Sequence, residues 1–259
     1  MRHEKSAHHN KLLRAMRSVP ATCAVMIGAF VILAAADARP NEATGSINGI
    51  VAVRGETRFE GTPPAARPVD FGGDAYCSGQ HPNGLATTDV RVGAASGLRD
   101  VIVYLKEAPA RAGAPEDAIT LDQVNCEYTP RVVALQAKQT LIIRNSDATL
   151  HNVHVRSQRN REFNIGQPIR GITSRRTFDS AEVGIHVSCD VHGWMEGHIA
   201  VFDHPYFAVT AEDGSFSIDS VPAGNYVLEA WHPTLGLQQQ NVTVTAGGDA
   251  NVTFRFAGS

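Results

Sequence analysis

Three side chains suited to a soft metal sit at equal intervals in one short stretch, "VSCDVHGWMEGH": Cys189, His192 and Met195. A thiolate, an imidazole and a thioether this close together suit copper better than a hard cation, which takes oxygen ligands. Of the chain's methionines, Met1, Met16 and Met26 lie near the N-terminus, and Met195 is the only one beyond them. Methionines that merely fill core gaps are usually several and scattered.

A fourth ligand is available upstream, in "LHNVHV". Successive side chains of a strand alternate faces. His151, Val153 and Val155 therefore share an apolar face, and Asn152, His154 and Arg156 a polar one. In "VGIHVSC", Val183, Ile185, Val187 and Cys189 point one way, and Gly184, His186 and Ser188 the other. That parity directs His151 and Cys189 inward from separate strands, with His192 and Met195 on the loop that follows. A buried neutral imidazole needs partners. Two histidines, one cysteine and a weak axial methionine are the ligand set of a blue-copper electron-transfer site, whereas zinc more often takes four strong ligands. His154, His186 and His198 have polar parity and read as surface residues.

These two motifs resemble the cupredoxin family, amicyanin in particular, which carries an N-terminal histidine ligand in an "HNVH" segment and the other three in C-x-x-H-x-x-M. The resemblance covers about residues 121–203. It includes "NSD" at 145–147, "FN" at 163–164 and the run ending in "VSC". It implies a Greek-key β-sandwich holding one type 1 copper through His151, Cys189, His192 and Met195. Such a site cycles between Cu(II) and Cu(I) and exchanges single electrons with a redox protein, such as a dehydrogenase or a c-type cytochrome. Gly193 departs from the family loop, which usually has proline there. Glycine frees the backbone and leaves the axial distance open. Asn152 is expected to steady the ligand loop by hydrogen bonding. Trp194, inside that loop, either packs over the site or offers a redox partner an exposed contact.

The elements that must position these residues are strands. Alternating apolar positions recur from residue 99 to the C-terminus, punctuated by Asp-Gly, Pro-Ala-Gly and other turn formers. No helical pattern follows the N-terminal segment. The fold class expected is all-β: a cupredoxin-like sandwich over 45–203, with its core at about 121–203, and a smaller sandwich over 204–257. Residues 45–118 read as an extra strand pair with long loops. "AVTAEDGSFSIDSVPAGNYVLEAWHP" resembles a carboxypeptidase regulatory-like (transthyretin-like) module, which implies a seven-strand-type sandwich without peptidase activity. His204 and His232 each precede a proline and read as turn caps.

The N-terminus reads differently. A basic segment leads into "VPATCAVMIGAFVILAAADA", which ends in Ala36-Asp37-Ala38. This is a secretory signal pattern over 1–38, with an uncleaved anchor as the alternative. The protein expected is periplasmic or secreted, with no stable membrane span after cleavage. Beyond residue 38 lie Cys77, Cys126 and Cys189. An odd number in an oxidising compartment is most simply one disulfide, Cys77–Cys126, and one cysteine with another task. The formal charge is −3 and no basic patch carries interleaved aromatics, so a nucleic-acid partner is not expected. No G-x-S-x-G, H-E-x-x-H or phosphate loop occurs, and no enzyme activity is expected. Two rival readings remain at this level. One is copper capture and delivery with the same ligands. The other is a structural or binding sandwich in which Cys189 is merely buried.

Overall fold

The structure, a computed structural model, describes residues 52–87, 89–109 and 113–258. The expected signal segment, and residues 45–51 at the start of the expected 45–118 strand pair, lie outside the described residues. In chain order the elements begin with β1 (Ala52–Glu60), β2 (Arg67–Pro68), helix α1 (Ala75–Gln80), β3 (Ala86–Thr87) and β4 (Ile102–Leu105). Then come β5 (Ile119–Val124), β6 (Glu127–Thr129), β7 (Val132–Gln136), β8 (Leu141–Asn145), β9 (His151–Arg156), β10 (Phe163–Gln167) and β11 (Thr173–Arg176). The chain continues with β12 (Glu182–Ser188), β13 (Glu196–Phe202), β14 (Phe207–Val209), β15 (Ser215–Asp219), β16 (Gly224–His232), β17 (Gly236–Val244) and β18 (Ala250–Ala257). The all-β class is observed, and among the described residues no helix is long and apolar enough to cross a membrane.

Two sandwiches share this chain. In the first, a five-stranded sheet ordered β10-β9-β12-β13-β7 faces a four-stranded sheet ordered β11-β8-β5-β6. Their inward residues, among them Leu121, Leu135, Ile143, Val153, Val155, Ile185, Val187, Ile199 and Val201, form one buried cluster that includes Cys189 and Met195. Burying each such aliphatic side chain contributes roughly 1.5–3 kcal/mol.

The second sandwich pairs a three-stranded sheet ordered β15-β1-β18 with a four-stranded one ordered β14-β4-β16-β17. Its seven strands enclose Phe59, Leu105, Ile218, Leu228, Phe254 and Phe256. Two of those strands come from the N-terminal stretch. The expectation of an extra strand pair on the first sandwich is therefore corrected: β1 lies parallel to β18 and antiparallel to β15, while β4 lies between β14 and β16. Local alternation identified both strands, but pairing across so many residues leaves no local trace.

A third cluster joins the sandwiches. Val132, Ala200 and Phe202, on the outward face of β7 and β13, meet Ile102 and Tyr104 of β4, with Phe207, Val209 and Trp231 packed around them. This corrects the surface reading of His198. Its face of the sheet points away from the first core, as parity requires, but that face is covered. Trp231 lies edge-on to the His198 ring at 5.5 Å. Burial holds the His198 pKa down at about 4.

Helix α1 was not expected, because "AYCSGQ" contains glycine and serine, which are poor helix formers. It is started by Asp74, whose side chain accepts the Cys77 N–H, and it is tied down by the Cys77–Cys126 disulfide. The disulfide pairing agrees with the cysteine arithmetic.

Candidate metal centre

Strand β9 delivers His151 at its first residue, and β12 delivers Cys189 just past its last. Both are buried, His151 completely. The loop from Cys189 to Met195 closes on itself. Cys189 N–H donates to the Met195 carbonyl at 3.1 Å, and Met195 N–H to the His192 carbonyl at 2.9 Å. This closure turns His192 inward, where it is 3 % exposed, and places Met195 in the core cluster with Cys189.

Three donor atoms converge. His151 Nδ1 and His192 Nδ1 are 2.9 Å apart, and Cys189 Sγ lies 3.8 Å from His192 Nδ1. The far nitrogen of each ring faces a carboxylate: His151 Nε2 is 2.9 Å from Asp147, and His192 Nε2 is 3.1 Å from Asp74. An ionised carboxylate only accepts hydrogen bonds, so it draws the ring proton onto Nε2. Both Nδ1 lone pairs then point at the same place, beside a sulfur. Two facing lone pairs at that separation repel unless a cation, either a proton or a metal ion, lies between them. Burial pushes the His151 pKa down despite the Asp147 carboxylate, which disfavours a proton as that cation. Two imidazoles, a soft sulfur and a nearby thioether fit copper.

The two carboxylates were missed at the sequence level, although "NSD" contains one of them. Asp147 is buried in the turn after β8, where its N–H donates to the Asn145 side chain. Its oxygens also accept the N–H groups of Asn125 and Cys126, each at 2.8 Å, and the Tyr76 hydroxyl at 3.2 Å. Asn125 and Cys126 both have positive φ, 54° and 57°, which aims their successive N–H groups at one anion. Asp74 is held ionised chiefly by the Cys77 N–H it caps. Each carboxylate therefore grips one half of the disulfide as well as one histidine, and Cys77 Sγ lies 3.8 Å from His192 Nε2.

Asn152 links the two ligand strands. Its carbonyl oxygen accepts the Asp190 N–H at 2.7 Å and the Cys189 thiol at 3.3 Å. Its own backbone carbonyl accepts the buried Tyr128 hydroxyl at 2.6 Å. Burial above all keeps that phenol protonated.

Trp194 is half-buried and packs over the site. Its indole N–H donates to the Cys126 carbonyl, and its ring packs against Phe71 and His192. The segment carrying Phe71 and α1 folds over the ligand loop, which spacing within that loop could not reveal. Gly193 lies in open space: a Cβ there meets nothing within 4 Å. His154 points outward onto Asp190, as parity required. His204 and His232 accept the backbone N–H groups of Tyr206 and of Thr234 and Leu235, capping their turns.

Residues 198–257 match the family model of the carboxypeptidase regulatory-like domain. The match begins inside β13, and the strands it covers after that element belong to the second sandwich. No curated protein matches the chain. Among solved structures the chain is similar to a copper-containing nitrite reductase from Thermus scotoductus SA-01, at 22% identity and a TM-score of 0.32. That match covers 38% of this chain and 25% of the reductase, so the chain spans about a quarter of that protein's length. It is also similar to a purple cupredoxin from Nitrosopumilus maritimus, at 20% identity and a TM-score of 0.28, covering 32% of this chain and 97% of the cupredoxin. A reduced amicyanin variant matches at 22% identity and a TM-score of 0.29, covering 38% of this chain and 97% of its own.

Proposed function

We propose that this chain is a type 1 copper protein that carries single electrons in the periplasm or outside the cell, and is not an enzyme. His151, Cys189 and His192 would hold the metal, and Met195 would add its thioether. One observation carries the reading: both imidazole Nδ1 atoms face one point beside Cys189 Sγ, while both Nε2 atoms are tied to carboxylates. Copper bound there supplies a one-electron Cu(II)/Cu(I) couple. The chain's part is to hold the donors still. Two β-strands, a closed loop and two carboxylate braces fix the ligand positions, so a change of oxidation state requires little movement. The donor and acceptor are redox proteins.

The burial of His192 under α1 favours a second reading, copper capture and delivery, in which the covered site keeps its metal until an acceptor protein takes it. One equivalent of Cu(II) added to the purified protein separates these readings from a purely structural one. An intense thiolate-to-copper band with narrow copper hyperfine splitting, lost in Cys189→Ala, supports the site. Fast electron exchange then favours the carrier, and slow exchange with transfer of copper to an acceptor favours delivery. A colourless protein would leave the sandwiches as a scaffold.

A further inference from the structure

The electron-carrier reading leaves open where a partner meets the site, and His192 offers no exposed edge. The segment 156–176 does. It holds six arginines, at 156, 159, 161, 170, 175 and 176, against one acidic residue, Glu162. The whole chain has a formal charge of −3, so this excess of five positive charges stands in an otherwise acidic protein. All six arginines are exposed. Arg156 is within 3.6 Å of Asp190. Arg161, Arg170, Arg175 and Arg176 pair with no carboxylate among the described residues. Arg170 instead donates to Tyr76, Arg176 donates to a neighbouring carbonyl, and Arg176 also lies 5.3 Å over the Phe163 ring.

Topology gathers these residues along one side. β10 ends the five-stranded sheet and β11 ends the four-stranded sheet facing it, and the two strands are consecutive. Their connection is anchored beside the metal centre. Gly171 N–H donates to the Asn145 carbonyl, Asn145 N–H to the Ile172 carbonyl, and Gln167 lies opposite His151 in the β10–β9 register. Ile169 on that turn is 63% exposed and Leu150, next to His151, 44%. An apolar centre with a charged border is the usual anatomy of a protein interface.

A hydrogen-bonded chain runs inward from this edge. Arg170 donates to the Tyr76 hydroxyl at 3.2 Å, Tyr76 to Asp147 at 3.2 Å, and Asp147 meets His151 Nε2 at 2.9 Å. We propose that the arginine edge formed by β10, β11 and their connecting turn is the docking face for an acidic one-electron redox protein. Its electron reaches the metal through the Arg170–Tyr76–Asp147–His151 chain. In the reductive direction the partner loses one electron and Cu(II) becomes Cu(I). The reverse step returns it. The electron-transfer half rests on the copper reading, whereas the docking half does not.

The two halves are tested separately. Hexacyanochromate(III), a redox-inert paramagnetic anion, is titrated into the metal-free protein while amide NMR lines are followed. The expected broadening is confined to residues 161–176 and the neighbouring 150–151. It disappears in Arg170→Gln/Arg175→Gln/Arg176→Gln, persists in Arg255→Gln on the other sandwich, and is competed by a glutamate-rich peptide. Broadening spread over the surface, or displacement by anionic lipid vesicles but not by the acidic peptide, overturns the docking face. Next, the Cu(I) protein is oxidised by hexacyanoferrate(III), which takes one electron. The triple variant is expected to react about three- to tenfold more slowly at low ionic strength, with the difference vanishing in concentrated salt. Oxidation by the cationic tris(phenanthroline)cobalt(III) is expected not to slow. Tyr76→Phe, which keeps the ring but cuts the chain, slows hexacyanoferrate without altering anion binding or the visible spectrum. An unchanged rate in Tyr76→Phe overturns the route.

Discussion

Asp147 is the residue on which cap, disulfide and candidate metal centre all converge, and removing its charge has a calculable effect. Four donors meet its two oxygens: the N–H groups of Asn125 and Cys126, the Tyr76 hydroxyl and the His151 ring. The side chain is 2% exposed, so water does not replace it. Hydrogen bonds to a charged acceptor contribute about 1.5–3 kcal/mol each, and a buried N–H left without a partner costs about 1–3 kcal/mol. These terms overlap within one network. Asp147→Ala is therefore expected to cost roughly 4 kcal/mol, a large part of the 5–15 kcal/mol typical of a domain. Asp147→Asn keeps one acceptor oxygen but turns an N–H₂ group toward two other donors, and is expected to cost about 2–3 kcal/mol. The assay is equilibrium unfolding of the metal-free protein in urea, followed by tryptophan fluorescence and far-UV circular dichroism. The same variants are expected to bind copper about 10- to 100-fold more weakly, because the His151 ring loses its brace. An Asp147→Ala protein within 1 kcal/mol of the parent would refute the claim that this carboxylate organises the centre.

Three other outcomes are expected. Cys77→Ser/Cys126→Ser opens a link across 49 residues, and chain entropy alone puts the loss near 4 kcal/mol. Thermal denaturation reads the loss, and faster modification of His192 by diethyl pyrocarbonate reads the loosened cap. Gly184→Ala, at φ +84° with the Trp231 ring 2.8 Å from the new Cβ, is expected to cost about 2 kcal/mol through strain and displacement at the junction of the sandwiches, measured by urea midpoint. His232 is buried with its pKa lowered to about 4, so the folded state resists a proton that the unfolded chain accepts near 6.5. Its contribution is complete above pH 6.5 and falls away as the pH drops toward 4, by up to roughly 3 kcal/mol. His232→Asn, which can still accept the Thr234 N–H, is expected to flatten that part of the stability–pH profile.

The strands and the four candidate ligands were legible because their signals are local. Alternation around Val153 and Val187 sorted His151 and Cys189 inward, and a short loop brought His192 and Met195 along. The residues that finish the centre were not legible, because their role depends on contacts far away in sequence. Asp74 stands 118 residues before the histidine it faces. Nothing in "DAYCSGQ" announces a helix until the disulfide pins it. His198 shows the limit of parity, which tells a residue's face but not whether that face is covered. β1 and β4 show the same limit for pairing.

The parallel pairing of β1 with β18 sets an order of events during synthesis. β1 emerges from the ribosome before every other described strand and β18 after them, so the second sandwich cannot close until β18 has emerged. The first sandwich spans β5 to β13 without interruption and can form earlier. High sequence separation between partners slows folding and prolongs the exposure of unpaired edges. A nascent or truncated chain ending before Ala250 would carry a finished candidate metal centre beside an open β1 edge, vulnerable to proteolysis and to pairing with another copy. Completion of the eight-residue β18 is thus a checkpoint for the second sandwich.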